Sequence, residues 1–175
     1  MNVCRQMRPC FGEVHMYDTR SDLSITVREM MVPILQARLI DSVDLYTQVK
    51  LAQWNVKGPH FTGLHDLFES LAEVVEQHSN TLAERIAALG GRPDATARVV
   101  AKQSSLGEFP LDISEGLVYV AAVADKVSLH AKGLRTSIAD ATRLGDLDTA
   151  DLFTGISRAV HEQLRLLDSH LQAER

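Results

Sequence analysis

The segment WNVKGPHFTGLHDLFE, residues 54–69, decides how this chain folds. Gly58 and Pro59 lie inside it. This pair ends a helix because glycine has greater backbone conformational freedom than other residues and proline lacks an N–H donor. On both sides of the pair, apolar residues recur at steps of three and four, which is the spacing of one helix face. The segment therefore predicts a short turn between two long helices.

The same apolar spacing, followed outward, predicts four long helices. They cover about residues 27–57, 62–89, 114–144 and 149–172, with a short helix near 96–102. Gly90 and Gly91 stop the second helix, and Ser114 is expected to cap the third. Pro33 is expected in the first turn of the first helix or at a kink. The first and third connections between the long helices are short and the second is long. This order predicts an all-α four-helix bundle with one long crossover.

Composition and charge argue against several classes of protein. The 175 residues include only 10 Gly and 5 Pro, which argues against a turn-rich β fold, and the net charge of −5 argues against a generic nucleic-acid binder. Residues 1–24 lack periodicity and are expected to be an extension, with residues 25–175 as one domain. No apolar run is long enough for a transmembrane helix, and the charged N-terminus predicts a cytoplasmic protein. Cys4 and Cys10 both lie in the extension, so no disulfide framework is expected.

Several motifs resemble the Dps family, the miniferritins named as DNA-binding proteins from starved cells. They are WNVKGPHF at 54–61, LHDLFE at 64–69, AER at 83–85, FPLDI at 109–113 and DTAD at 148–151, and the resemblance covers about residues 25–172. It implies a ferritin-like bundle, twelve of which form a hollow shell. Such shells oxidise Fe(II) with hydrogen peroxide or dioxygen, store ferric iron and protect against oxidative stress. Their iron site lies at the two-fold interface between subunits.

The resemblance also assigns metal ligands to this chain. His65 and Glu69 match the family's ligands early in the second helix, and Glu84 matches an acid given by the partner subunit. Two positions depart from the pattern, because Gln53 stands where the family has a histidine and Asn80 where it has an acid. Fe(II) prefers imidazole and carboxylate to neutral amides, so we expect weaker binding here or another metal arrangement. The alternative is that these are ordinary polar residues of a subunit interface.

The chain contains 7 histidines, and three of them suggest a second arrangement. With a rise of about 1.5 Å per residue, His78, His130 and His161 come out at one level, about 25 Å above the Gly58 turn. Such a group predicts a histidine-rich site inside the bundle that suits zinc as well as iron. The alternative is that each histidine has its own hydrogen-bond partner. The remaining histidines, expected at the surface, are His15, His60 and His170.

Trp54 lies beside the interface-site position. It is interpreted either as a sacrificial electron donor or as an aromatic anchor that packs in the subunit interface. In the family, acidic residues near the start of the third helix line a pore for iron entry. The candidates here are Asp112, Glu115 and Asp125.

The N-terminal extension does not predict DNA binding. Its side-chain charges cancel, so it offers no basic arm for phosphates. These charges are Arg5, Arg8 and Arg20 against Glu13, Asp18 and Asp22. The alternative to an iron-oxidising shell is a nucleoid-binding or structural shell with a weak site or one that takes zinc.

Overall fold

The computed structural model describes residues 16–172, all of whose regular elements are helices. These are α1 (Ile25–Asn55), α2 (Phe61–Ala88), α3 (Ala97–Gln103), α4 (Gly116–Leu144) and α5 (Leu147–Gln172). The four long helices form a bundle in which α1 contacts α2 and α4, and α4 contacts α5. The long crossover between α2 and α4 carries the short helix α3. The prediction of an all-α four-helix bundle with one long crossover is confirmed.

Some of the predictions made from the sequence concern residues that precede the described range. Predictions on Cys4, Cys10 and His15, and on the charges of Arg5, Arg8 and Glu13, lie outside residues 16–172. None of the helices in residues 16–172 contains an apolar stretch of the length and hydropathy that a membrane span requires.

The core is a continuous apolar interior to which all four long helices contribute. Leu35, Phe68, Leu134 and Phe153, one from each of these helices, are fully buried. Helix α1 differs from the others because many polar side chains are also buried along it. Several of these bind the crossover: Asp41 accepts hydrogen bonds from the Ser105 N–H and hydroxyl, each at 2.8 Å. The polar stripe of α1 thus fixes the crossover against the bundle.

The start of α1 excludes the first-turn position, one of the two expected for Pro33. Ser24 caps the helix by accepting from the Val27 N–H at 3.3 Å, so the helix begins at Ile25. Pro33 therefore lies inside α1 rather than in its first turn.

The starts of α4 and α5 also differ from the prediction. Ser114 does not cap α4, because the helix begins at Gly116 after Glu115, which makes no capping side-chain hydrogen bond. At α5, the buried Asp146 accepts from the Thr149 N–H at 3.0 Å and from the Arg85 guanidinium at 2.7 Å. This cap starts α5 slightly earlier than predicted, at Leu147, and ties it to α2.

Candidate metal centre

Three of the predicted ligands meet where α1 and α2 lie side by side near their connecting turn. Gln53 projects from α1, while His65 and Glu69 project from one face of α2. The Gln53 amide nitrogen lies 3.4 Å from His65 Nε2 and also donates to Glu69 Oε2. This cluster, with the lysine described next, is called the outer cluster below.

Lys50 completes the outer cluster and was missed by the sequence reasoning. Its ammonium donates to Glu69 Oε2 at 3.0 Å. The Lys50 side chain is 18% exposed, whereas that of Glu69 is 45% exposed. A signal was available, since Lys50 precedes Gln53 by three residues and therefore shares its helix face.

The histidine of the outer cluster turns its Nε2 atom toward Gln53. His65 Nε2 lies 3.4 Å from the Gln53 amide nitrogen, and its Nδ1 lies 3.6 Å from an Asp66 carboxylate oxygen. Phe61 lies against the imidazole, with the ring centroids 5.5 Å apart. His65 Nε2 thus faces the place where a metal would be held.

Gln53 provides the test of whether this donor set fits iron. The residue is 3% exposed, and its Oε1 atom is buried with no hydrogen-bond partner in the described part of the chain. A half-turn of the amide exchanges its nitrogen and oxygen, which would present that unsatisfied oxygen to the site. One imidazole, one carboxylate and one amide oxygen fit Fe(II), with one imidazole fewer than in the family pattern.

Asn80 and Glu84 do not join the outer cluster within one chain. Both are exposed and lie further along the same helix as His65 and Glu69. From Glu69 to Glu84 the helix rises about 22 Å, at about 1.5 Å per residue. A single chain therefore brings together three of the five ligands predicted for the interface site.

The inner histidines lie in a different environment. His130 is 0% exposed, and its Nε2 lies 3.4 Å from the Ser42 hydroxyl. Burial, together with the positive charge of Arg38 and the nearby His78, lowers the pKa of His130 to about 3. Burial also lowers the pKa of His78. The Nδ1 atoms of His78 and His130 are buried without a hydrogen-bond partner among the described residues.

His161 is separate from these two, and the predicted three-histidine group is wrong. Its Nδ1 lies 2.7 Å from the Ser157 carbonyl oxygen, to which it donates, and its Nε2 accepts from the Arg135 guanidinium at 3.0 Å. The residue lines an exposed groove of about 440 Å³ between α4 and α5. The rings of His130 and His161 were expected to meet because the two residues have the same height along the bundle. They do not meet, because His130 points into the core while His161 points outward.

Across residues 16–172, no group of three or more His, Cys, Asp or Glu side chains is placed to hold a metal within one chain. A zinc site inside the bundle is therefore not supported. His78 and His130 remain there; His130 has the Ser42 hydroxyl 3.4 Å from its Nε2 and the Arg38 cation close by.

The other predicted residues are exposed. Trp54 follows the buried Gln53 but faces outward, with 71% of its surface exposed. The pore candidates Asp112 and Glu115 precede α4, and Asp125 lies on it, all exposed. His60 and His170 are exposed, as expected.

Comparison with known proteins identifies the fold and the family. The Ferritin-like domain family matches residues 33–175. The DNA protection during starvation protein of Agrobacterium fabrum is 31% identical over 156 residues, which is 89% of this chain and 96% of the relative. The chain belongs to the Dps family of ferritin-like proteins.

Two further Dps relatives agree with this assignment. The DNA protection during starvation protein of Halobacterium salinarum is 33% identical over 87% of this chain and 83% of its own length. The structure of Mycobacterium smegmatis Dps superposes with a TM-score of 0.85 at 26% identity, and the match covers 90% of this chain and 96% of that one. The family predicted from the motifs around Trp54 and His65 is confirmed.

Proposed function

We propose that this Dps family member assembles into a shell of twelve subunits that oxidises Fe(II) and stores the ferric product. The observation that carries the proposal is the outer cluster, where His65 Nε2 and the Glu69 carboxylate lie together on a partly exposed face. Iron is the substrate, and the protein protects by removing both Fe(II) and hydrogen peroxide.

The spacing along α2 supports a site shared by two subunits. His65 and Glu84 have the same midpoint as Glu69 and Asn80, between Val74 and Val75. A two-fold axis beside that midpoint pairs α2 with an antiparallel copy of itself. It then sets His65 opposite the partner's Glu84, which completes the half-site and forms a second, equivalent one.

In this arrangement the roles of the side chains follow from their chemistry. His65 and Glu69 bind iron directly, and the partner's Glu84 adds the second carboxylate. Gln53 adds its amide oxygen after rotation. Two Fe(II) ions give one electron each to one hydrogen peroxide, which takes up two protons and becomes two water molecules. This two-electron route avoids the hydroxyl radical that a one-electron reduction of peroxide releases.

The exposed Trp54 is assigned an interface role. A large aromatic side chain with 71% of its surface exposed beside the site is suited to pack against the partner subunit. We propose packing as its main contribution and electron donation as secondary.

The function is tested by Fe(II) oxidation in purified shells, followed by ferric absorbance with peroxide and with dioxygen. Shells with both His65→Ala and Glu84→Ala should oxidise Fe(II) at least about 10-fold more slowly than wild type. His170→Ala, which removes another exposed histidine of the chain, should leave the rate unchanged. A wild-type rate no faster than that of the double variant contradicts the proposal.

Mixed shells test the shared site more sharply. Subunits with only His65→Ala and subunits with only Glu84→Ala are each expected to form inactive shells. When the two are unfolded and reassembled together, random two-fold pairing restores about a quarter of the sites. No recovery in well-assembled mixed shells shows that the two ligands do not belong to one site across the interface.

A DNA-binding shell is the second candidate, because the curated relatives are DNA protection during starvation proteins. We propose that any protection by this chain comes from iron removal, since the described part of its extension has Arg20 against Asp18 and Asp22. A gel shift of plasmid DNA at about 0.15 M salt tests this. Retention of the plasmid by metal-free shells favours the DNA-binding alternative.

A further inference from the structure

We propose that residues 106–108 of the crossover form a binding site for a primary ammonium group, and that the chain fills this site with its own Lys126. The site, called the carbonyl site below, lies apart from the outer cluster. The inference is therefore independent of the proposed function. It gives Lys126 of α4 the task of holding the crossover against that helix.

Three successive backbone carbonyl oxygens converge on the Lys126 charge. The ammonium donates to the Leu106 carbonyl at 2.8 Å and to the Glu108 carbonyl at 2.7 Å. It also donates to the Gly107 carbonyl between them at 3.2 Å. An ammonium has three N–H donors, so each donor has an acceptor in the carbonyl site. None of the ion pairs formed within residues 16–172 includes Lys126, so carbonyl dipoles and not a carboxylate balance its charge.

The shape of the carbonyl site depends on Gly107. Its φ is +68°, a left-handed conformation that glycine adopts without the steric cost that a side chain brings. The chain bends at this residue, and the carbonyls of Leu106 and Glu108 on either side of it reach the same ammonium. The sequence therefore places a glycine where the site needs one.

Helix α1 holds the same loop through contacts that do not involve Lys126. Gln48, which is 7% exposed, donates to the Gly107 carbonyl at 2.9 Å. Asp41 accepts from the Ser105 N–H and hydroxyl, each at 2.8 Å. We therefore expect the carbonyl oxygens to keep their positions when the lysine side chain is shortened. The site would then be open to a soluble ammonium ion.

Lys126 joins the crossover to α4, whereas the polar side chains of α1 join it to α1. Further along the crossover, the rings of Phe109 and Tyr119 stack with their centroids 6.4 Å apart. The Tyr119 hydroxyl donates to the Ile113 carbonyl at 3.1 Å. Lys126 adds a charged contact to these two, and hydrogen bonds to charged groups are stronger than those between neutral groups.

Chemical rescue in purified shells tests the carbonyl site. Lys126→Ala deletes a side-chain end with the composition of propylammonium. Differential scanning calorimetry should show a melting temperature about 5 °C below wild type, because the hydrogen bonds of a charged group are lost. Propylammonium chloride at about 0.3 M should then raise it about 2 °C above its value in tetramethylammonium chloride at the same concentration. Tetramethylammonium has the same charge but no N–H donor, so it controls for ionic strength.

Two variants and the wild type serve as controls. Lys132→Ala removes an exposed lysine from the same helix and should melt like wild type. Lys126→Met should lose stability as Lys126→Ala does, but its long side chain fills the space that propylammonium needs. Neither Lys126→Met nor wild type should therefore distinguish the two salts.

Each outcome decides the proposal. If Lys126→Ala melts at the wild-type temperature, the lysine does not hold the crossover and the proposal is wrong. If Lys126→Ala melts at the same temperature in both salts, the three carbonyls do not bind an ammonium, which also contradicts it. If Lys126→Ala does not assemble in plain buffer, the yield of shells after refolding replaces the melting temperature. Propylammonium should then restore the yield and tetramethylammonium should not, and equal yields overturn the proposal.

Discussion

The outer cluster and a second cluster of polar side chains inside the bundle both contain histidine, and they lie in opposite kinds of surroundings. The outer cluster lies on the partly exposed face shared by α1 and α2. The inner cluster lies in the bundle core, where α1 faces α4, and consists of Arg38, Asp41, Ser42 and His130.

The charged side chains of the inner cluster are paired with each other. Asp41 accepts from two groups of Ser105 and pairs with Arg38 at 3.1 Å, so its charge is balanced within the chain. Arg38 also lies near His130, and a fixed cation beside an imidazole disfavours a second cation. A buried histidine is therefore a poor guide to a metal site when the surrounding charges already balance.

The outer cluster, in contrast, is able to exchange its hydrogen bonds for a metal ion. Its imidazole and its carboxylate are held by hydrogen bonds that a metal can replace, and part of the ligand set is missing from the chain. A partly exposed cluster with ligands missing from the chain points to a site completed by a partner. A buried cluster whose charges are paired within the chain points to a structural role.

The largest expected effect is loss of stability when the inner cluster is broken. Asp41→Ala leaves Arg38 and the Ser105 N–H without their partner, which should lower the free energy of unfolding by about 3 kcal/mol. Urea denaturation of the shell measures it. Asp140→Ala removes another aspartate paired with an arginine three residues away, but on the surface, and should cost less than about 1 kcal/mol. Equal losses in the two variants would show that the inner cluster is not special.

The second effect is a pH dependence that comes from His130 of the inner cluster. His130 stays neutral in the folded chain down to a pKa of about 3, whereas the unfolded chain takes up this proton near pH 6.5. Between these values the unfolded state binds more protons, so stability falls as the pH falls. The charged or titratable groups that face His130 are Arg38 of α1, with its partner Asp41, and His78 of α2.

His130→Gln tests this dependence, because glutamine is polar but does not titrate. The slope of unfolding free energy against pH between about 4 and 6 should decrease by up to about 1.4 kcal/mol per pH unit, the value for one proton. Urea titrations at several pH values measure the slope. His170→Gln, at an exposed histidine, should leave it unchanged. An unaltered slope in His130→Gln means that the buried ring is not the group that titrates.

The smallest effect is a gain in metal affinity when the two amide residues at the ligand positions, Gln53 and Asn80, are replaced. Gln53→His and Asn80→Asp replace the two amides with the ligand types of the family pattern, and each should tighten Co(II) binding about fivefold. Calorimetry on metal-free shells measures both. Asn55→Asp places a new carboxylate on the exposed end of α1 and controls for general charge. An equal gain in that control, or none in either variant, argues against ligands at positions 53 and 80.

Much of the fold was accessible from the sequence because helix signals are local. Apolar spacing, Gly90, Gly91 and the Gly58 turn located the long helices to within a few residues. The start of α5 was missed because it depends on a contact between distant segments. Asp146 caps α5 and also binds Arg85 of α2. No local sequence pattern predicts the pairing of Asp146 with Arg85.

The candidate site was only half predictable for the same reason. His65 and Glu69 share a helix face, so their spacing and the family resemblance found them together. Lys50 came from the neighbouring helix and was overlooked, although its spacing from Gln53 placed it on the right face. His78, His130 and His161 do not form one group, because equal rise along the helix axes does not fix the rotation of each side chain about its axis.

Anomalous X-ray scattering at the iron edge, from crystals of the shell soaked in Fe(II) without oxygen, tests the central claim most directly. The account predicts the strongest peaks at the two-fold interface, within bonding distance of His65 and Glu69 of one subunit and of the partner's Glu84. It predicts no peak beside His130. A dominant peak inside the bundle between His78 and His130, or full iron loading with no peak at the interface, would contradict it.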